Sequence, residues 1–348
     1  MPSLNSEQLH TLAARILQGA GVSATNADVV ATELKDANLV GHDSHGVMRL
    51  MQYVDYINQG FIKPDAECEV LREESSFALL DGHFQFGQVA ATKGLQLGIE
   101  KARAGGTATI FVRNCNHVGR LGSYSQKAAM QGLAAMMCVN APGPGGVAPF
   151  GGIERRLGTN PISMSAPRGD NPLVLDMTSS ATAEGKVRVA LQKGDTLPEG
   201  WIIDSEGNPS VNPADLYGPP EGAIVPLGGA MGFKGFGLSV MIDVFGGILS
   251  GSGVCRDDLP RGANGVWMYF LDVEKFIAPA EYDALMETYV ASIKSSRRAP
   301  GVDEILMAGE IELRRQADRM ESGVPIPDET WRQLTELAKQ VGTTIDDV

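Results

Sequence analysis

Near Phe77 the hydrophobic pattern of this chain changes period, which restricts it to folds that pair a helical layer with a sheet. Before that point apolar residues recur at helical spacing in three segments. The first carries Leu9, Leu12, Ala13, Ile16 and Leu17 behind a capping-box-like Asn5 and Gln8, and stops at Gly19 and Gly21. The second begins near Asn26 and runs through Val30, Leu34 and Ala37. The third is expected to start near Ser44, with Asp43 or Ser44 as its N-cap. Val47, Leu50, Met51, Val54 and Ile57 form its stripe, and Gly60 its stop. Beyond Phe77, runs of strand length occupy 77–80, 108–112, 133–139, 173–177 and 265–273. Helical patterns lie at 89–104 and 235–249, and the remainder is mostly helical. The fold expected is mixed α/β, of the α+β kind.

At 348 residues the chain can build two packed domains, or one with an appended helical layer. Its 43% hydrophobic and 20% charged content is that of a globular enzyme. A net charge of −13 repels phosphate backbones, so nucleic acid is not an expected partner. The N-terminus lacks a basic segment followed by an apolar run. The most apolar long stretch, 235–254, is interrupted by Asp243 and glycines. Neither a secretory signal nor a membrane span is expected, and the default location is cytoplasmic. Cys68, Cys115, Cys138 and Cys255 are scattered without a C-x-x-C pair, which argues against structural zinc and disulfides.

Four segments carry chemistry. In GHDSHGVMRL (41–50) and the residues after it, His45, Arg49 and Tyr53 are spaced to share one helix face. In a first helical turn His45 would stay neutral and able to exchange a proton, while Arg49 offers a carboxylate a two-pronged partner. The plainer reading is a surface histidine beside a cap. His42 and His45 also stand at a workable metal-ligand spacing, but they straddle the expected helix start and no third ligand clusters with them. No metal is expected. In NCNHVGR (114–120) a strand ends and His117 can act as a general acid or base, or merely satisfy loop carbonyls. Gly158–Pro161 and 175–180 place Thr159, Asn160 and Asp176 where small polar groups could serve a ribose or phosphate, or form ordinary turns. The glycine-rich run 228–237, with Lys234 in it, opens an apolar helix. It suits a phosphate, or simply tight helix packing. No G-x-G-x-x-G and no P-loop occurs anywhere, so a Rossmann reading fails on its own fingerprint.

With GHDSHGVMRL (41–50), FGQVAA (86–91), NHVGRLGSYS (116–125), APFGG and RLGTNP (148–161), LDMTSSATAEGKV (175–187), GFKGFGL (232–238) and AGE (308–310) in this order, the chain resembles the malate/L-lactate dehydrogenase family. That family is unrelated to the Rossmann-type enzymes. Details such as GWIIDSEGNPSVNP (200–213) look most similar to the bacterial hydroxycarboxylate dehydrogenases within it. The resemblance implies a non-Rossmann dinucleotide-binding domain with a mixed, largely antiparallel sheet over 116–289. A helical, substrate-facing domain would come from 1–115 together with 290–348. It implies NAD(P)-dependent interconversion of 2-hydroxy and 2-oxo acids, with reduction of cyclic imino acids (piperideine- or pyrroline-carboxylates) as the alternative. NADH is the favoured cofactor, NADPH is possible, and a homodimer acting on a small carboxylate is expected. His45 and His117 become the proton-transfer candidates, with His117 preferred and Ser44 assisting. Arg49, Tyr53, Thr159 and Asn160 would hold the substrate. The cofactor would meet His45, Gly119, Arg120, Leu121, Val174, Leu175, Asp176, Met177, Thr178, Phe233, Lys234, Asn264, Gly309 and Glu310. Arg120 or Arg188 are the candidates to reach a 2′-phosphate. One departure is Met307-Ala308 before Gly309, where relatives often carry a proline.

Overall fold

A computed structural model describes residues 2–258 and 262–345, apart from the side chain at 192. The chain opens with a short strand β1 (Ser3–Leu4) and helices α1 (Ser6–Gly19), α2 (Ala24–Leu39) and α3 (Leu50–Asn58). Asn5 and Gln8 do cap α1 reciprocally, each side chain taking the other's backbone N–H at 2.9 Å. The apolar stripes of these helices bury Leu9, Leu12, Ile16, Leu34, Leu50 and Tyr53 in one core, which a helix near the C-terminus closes with Leu334 and Leu337.

The central layer alternates β2 (Glu69–Glu73), β3 (Phe77–Asp81), α4 (Gly87–Gly105), β4 (Thr107–Cys115), α5 (Leu121–Ala129), β5 (Leu133–Asn140), β6 (Pro161–Ala166) and β7 (Leu173–Thr178). A smaller unit follows: α6 (Glu184–Lys193) with strands β8 (Ile202–Ile203), β9 (Pro209–Ser210) and β10 (Ala223–Ile224). It packs round Val147, Val187, Ile202 and Leu216. Helix α7 (Phe233–Ile242) runs on into a π-helical turn over 243–248. The long strand β11 (Asn264–Asp272) then inserts between β4 and β5. Helices α8 (Pro279–Lys294), α9 (Glu310–Ser322), strand β12 (Val324–Pro325) and α10 (Asp328–Gln340) complete the chain.

The seven-stranded sheet has the order β2-β3-β4-β11-β5-β6-β7, and only the β3–β4 pair is parallel. The mixed, mostly antiparallel sheet expected from the resemblance is therefore what the chain forms. Helices α4 and α5 cover it over Ile110, Val112, Met137, Met268 and Phe270.

Two expected domain limits do not match the packing. Residues 69–115 supply three of the seven strands, so a cut between 115 and 116 divides β4 from the sheet it belongs to. The helical core draws on residues 4–62 and 324–345, with Phe86 as its contact from the sheet side. The limit at 289/290 falls inside α8. Sequence order hides this, because β4 is zipped to β11, about 150 residues later, along nearly its whole length. Strand β2 also left little trace in the sequence: it is an edge strand whose EVLRE side chains are mostly exposed and show no apolar alternation.

Candidate active site

The segment 41–49 is not the start of a long α-helix. Two 3₁₀ turns, Asp43–His45 and Val47–Arg49, are separated by an extended Gly46, and α3 begins only at Leu50. Neither Asp43 nor Ser44 caps it. Asp43 instead accepts from Asn38 Nδ2 at 2.7 Å and from both terminal nitrogens of Arg319 at 2.7 and 3.0 Å. Asn38 Oδ1 takes the Val47 N–H at 2.8 Å. A Cβ added to Gly46 would lie 2.1 Å from that oxygen, which is why the turn needs a glycine there. The helix-dipole argument for a neutral His45 therefore lapses, and a different cause takes its place. Burial, reinforced by the guanidinium of Arg49, brings the His45 imidazole down to about 3.

A cavity of about 910 Å³ opens between this segment, the ends of β4 and β5, the start of β6, the end of β7 and the first turn of α6. His45 and His117 both line it, their rings stacked with centroids 5.4 Å apart and 24° between planes. His117 is likewise held well below the ordinary histidine value by burial, then by Arg49 and His45. Ser44 Oγ lies 3.0 Å from His45 Nδ1. Arg49 bridges its own turn: Nε donates to the Ser44 carbonyl and Nη1 to Gln52 Oε1, both at 2.6 Å. Among the described residues Nη2 has no hydrogen-bond partner, which leaves it for a ligand.

Tyr53 is not where the substrate reading put it. It is 1% exposed, lies outside the cavity wall, and its hydroxyl is 2.8 Å from His117 Nδ1. Its reach is toward the histidine because α3 starts six residues later than expected, so Tyr53 belongs to the first turn of a helix facing the core.

Of the other expected contacts, Thr159, Asn160, Gly119, Arg120, Leu121, Asp176, Met177, Thr178 and Asn264 line the same cavity. Asp176 accepts from Gly122 N at 2.8 Å with Arg120 at 3.7 Å, and burial nevertheless raises its carboxyl above the usual carboxylate range. Asn264 Oδ1 accepts from Val118 N and so fixes the backbone beside His117. Val174, Leu175, Phe233, Lys234, Gly309 and Glu310 lie outside it. Val174 and Leu175 precede Asp176 on β7, and each residue of a strand retreats ~3.3 Å along it. Gly309 packs on Val174, Glu310 is occupied by Lys294 and the Met307 N–H, and Phe233 lies edge-on to Phe150. His42 Nε2 lies 3.4 Å from Glu312 Oε1.

Ser180, at the end of the polar segment 175–180, does line the wall, whereas sequence reasoning missed Asn140, Lys186 and Arg315 among others. Lys186 sits in the already quoted stretch 175–187 and could have been read there. Arg315 could not, since it reaches the site only by lying across Gly41.

The wall fits a polar, extended ligand such as a nicotinamide dinucleotide. Arg120 Nε, Asn140 Oδ1 and Asn160 Oδ1 are buried on lining residues without a hydrogen-bond partner among the described residues. Arg49, Arg120, Lys186 and Arg315 supply positive charge, and Thr159, Thr178 and Ser180 supply hydroxyls.

The two neutral imidazoles make stability depend on pH. In the unfolded chain each titrates near 6.5, whereas folded His45 does so near 3 and His117 well below its ordinary value. Between those limits the unfolded state binds more protons, so stability is complete above about pH 6.5 and is lost as the pH falls below it. The slope is at most ~1.4 kcal/mol per pH unit for each histidine, less to the extent that cavity water reaches the rings. Urea unfolding at pH 7 and 5.5 tests this against a His45→Gln/His117→Gln double variant, which is expected to show a shallower acid loss. Equal losses in both proteins would refute it.

The sequence pattern of the malate/L-lactate dehydrogenase family matches residues 4–335. A malate dehydrogenase of Pyrococcus horikoshii is 38% identical over 97% of this chain and 94% of its own. The solved structure of that organism's malate dehydrogenase superposes with a TM-score of 0.89 at 35% identity, over 98% of this chain and 96% of that one. Hydroxycarboxylate dehydrogenase B of Escherichia coli is 34% identical over 97% and 94%. A delta1-piperideine-2-carboxylate reductase of Pseudomonas syringae superposes with a TM-score of 0.84 at 28% identity, over 97% of this chain and all of that one. By pattern, by sequence and by fold, this chain belongs to the malate/L-lactate dehydrogenase family.

Proposed function

We propose that this chain is an NAD(P)-dependent dehydrogenase that interconverts a 2-hydroxy acid and the corresponding 2-oxo acid. The observation that carries the reading is one cavity in which two neutral, stacked imidazoles adjoin an arginine with an unspent Nη2. When bound, the nicotinamide accepts or returns a hydride at the substrate's carbinol carbon. Arg49 fixes the substrate carboxylate, and His117 exchanges the hydroxyl proton through Nε2, because Tyr53 occupies Nδ1. His45, with Ser44 on its Nδ1, faces the same space and completes the polar wall. Thr159 and Asn160 line the same cavity, which supports reading them as further substrate contacts.

NADH is favoured over NADPH because the part-buried Asp176 on the cavity wall suits ribose hydroxyls and would repel a 2′-phosphate. Arg188, the other residue weighed for that phosphate, is taken by Glu184 at 2.9 Å. Arg120 and Arg315 remain as the cationic alternative for NADPH. A homodimer accounts for the apolar side chains exposed along α7 and its π-helical end: Phe233, Met241, Ile248 and Leu249. No described helix is long and apolar enough to cross a membrane, in keeping with a cytoplasmic enzyme.

The likeness to a piperideine-carboxylate reductase keeps one alternative in view, since a cyclic imino acid needs the same hydride and carboxylate clamp. Oxidation of NADH and NADPH by malate-, lactate- and sulfolactate-type 2-oxo acids is to be compared with oxidation by cyclic imino acids. Turnover of the 2-oxo acids is expected; turnover of the imino acids alone would replace this reading with the reductase.

A further inference from the structure

Behind His117 stands a chain of buried groups that the reaction as described does not use. Gln88, in the first turn of α4, is fully buried, and its Nε2 donates to the Tyr53 hydroxyl at 2.7 Å. A tyrosine oxygen that has accepted one proton passes its own to the next acceptor, which is His117 Nδ1 at 2.8 Å. In this arrangement His117 carries its proton on Nε2. It is a donor toward the cavity and cannot take a proton from a hydroxyl.

The other end of the Gln88 amide is unclaimed: Oε1 is buried and has no partner among the described residues. Nothing on that side fixes which way the amide faces. Turned by half a turn, the same amide presents Oε1 to Tyr53, whose hydroxyl then donates to it and accepts from an Nδ1–H of His117. Nε2 is left with a lone pair toward the cavity.

We infer that Gln88 is a positioning residue which, acting through Tyr53, selects the tautomer of His117 and so determines whether that histidine is ready to accept the substrate's proton. The inference rests on the hydroxy-acid dehydrogenase reading of the site. In the oxidative direction the carbinol C–H pair leaves as hydride to the nicotinamide, and the O–H proton moves to Nε2. A C=O bond forms, and the resulting imidazolium keeps its Nδ1–H on Tyr53. In the reductive direction the Nε2 proton returns to the alkoxide and the same Nδ1–H form is restored. The Gln88 amide must therefore stand with Oε1 toward Tyr53 throughout turnover, while the Nε2–H form is a resting state.

The charged and titratable groups bearing on this chain are Arg49 and His45 beside His117, and Arg49 and Glu33 around Tyr53. Arg49 disfavours a protonated His117, so the hydrogen bond from Nδ1–H to Tyr53 is the contact that supports the imidazolium.

The test is made first on the cofactor-free protein, with histidine labelled in ¹³C and ¹⁵N and the His117 signals assigned by their absence in His117→Gln. Gln88→Glu presents only acceptor oxygens when ionised, and is expected to hold His117 as the Nδ1–H tautomer at pH 8. Gln88→Met leaves Tyr53 without guidance and is expected to give a mixture of tautomers. Wild-type protein is expected to be predominantly Nε2–H. The same tautomer in wild type and both variants would overturn the inference, and the Met variant alone suffices if the Glu variant does not fold. In turnover, Gln88→Met is expected to lower kcat about 2- to 12-fold, the worth of one neutral hydrogen bond, at unchanged KM. Gln88→Glu is expected to move the acid limb of the oxidative pH profile upward. A rise in KM with no change in the profile would mark a merely structural role. If no 2-hydroxy acid is turned over at all, the functional reading fails, while the tautomer measurement still stands or falls by itself.

Discussion

His117→Ala is expected to lower kcat by ~10²–10⁴-fold in both directions, the usual cost of losing a positioned acid or base. The reason lies in the different backing of the two cavity histidines. His117 has a buried phenol on Nδ1 that can donate or accept, so its ring can pass between neutral and protonated forms without losing that bond. Burial lowers both rings, but His45 has on Nδ1 the hydroxyl of Ser44, its part-exposed sequence neighbour, in place of a buried phenol that is itself held by a second buried group. His45→Ala is therefore expected to cost less than His117→Ala. Because the alanine also takes away the acceptor of the buried Tyr53 O–H, at ~1–3 kcal/mol, His117→Gln serves as the control that keeps a polar partner there. Steady-state kinetics with a thermal melt of each variant decides the matter. A near-normal kcat for both His117 variants, with a large loss in His45→Ala, would transfer the proton-exchange role to His45.

The contrast between these histidines also shows what could be read in the residue string. The capping box at Asn5 and Gln8, the stripes of α1 and α2 and the longer central strands are local patterns, and each formed within a few residues of its expected place, whereas α3 kept its stripe but begins six residues late. The pairing of His45 with Arg49 was legible too, but for a reason that did not hold: a helix face was expected where Gly46 breaks the chain into two 3₁₀ turns. What brings the two side chains together is the clamp on that segment from Asn38 and Arg319. Such contacts join α2 to α9 across some 280 residues and leave no periodic trace. The same holds for Gln88, which looks like any polar residue at a helix start until Tyr53 is folded onto it. Strand β6 escaped notice because it follows directly on the Gly- and Pro-rich segment 141–161 and begins with Pro161.

Arg49 carries the second large expectation, and its own hydrogen bonds set the form of the test. Its planar guanidinium does three things at once: Nε holds the Ser44 carbonyl, Nη1 holds Gln52, and Nη2 is left for a substrate carboxylate. A lysine ammonium has the charge but cannot span those directions. Arg49→Lys is expected to lose at least one charge-assisted hydrogen bond, worth ~1.5–3 kcal/mol, which is about 10- to 150-fold in kcat/KM. Most of this should be a higher KM, since the carboxylate is bound in the ground state as well as in the transition state. Arg49→Met removes the charge too, and two consequences should follow. Substrate affinity falls further than in the lysine variant. His117 and His45 also lose the cation that disfavours their protonation, so the acid limb of the oxidative pH profile should move upward. The direction of that movement separates a carboxylate anchor from a residue that merely props up the 44–49 turn. A prop would lower activity at every pH alike. An unchanged KM for every 2-oxo acid that the wild-type enzyme reduces would remove Arg49 from the substrate site, whatever happened to the turn.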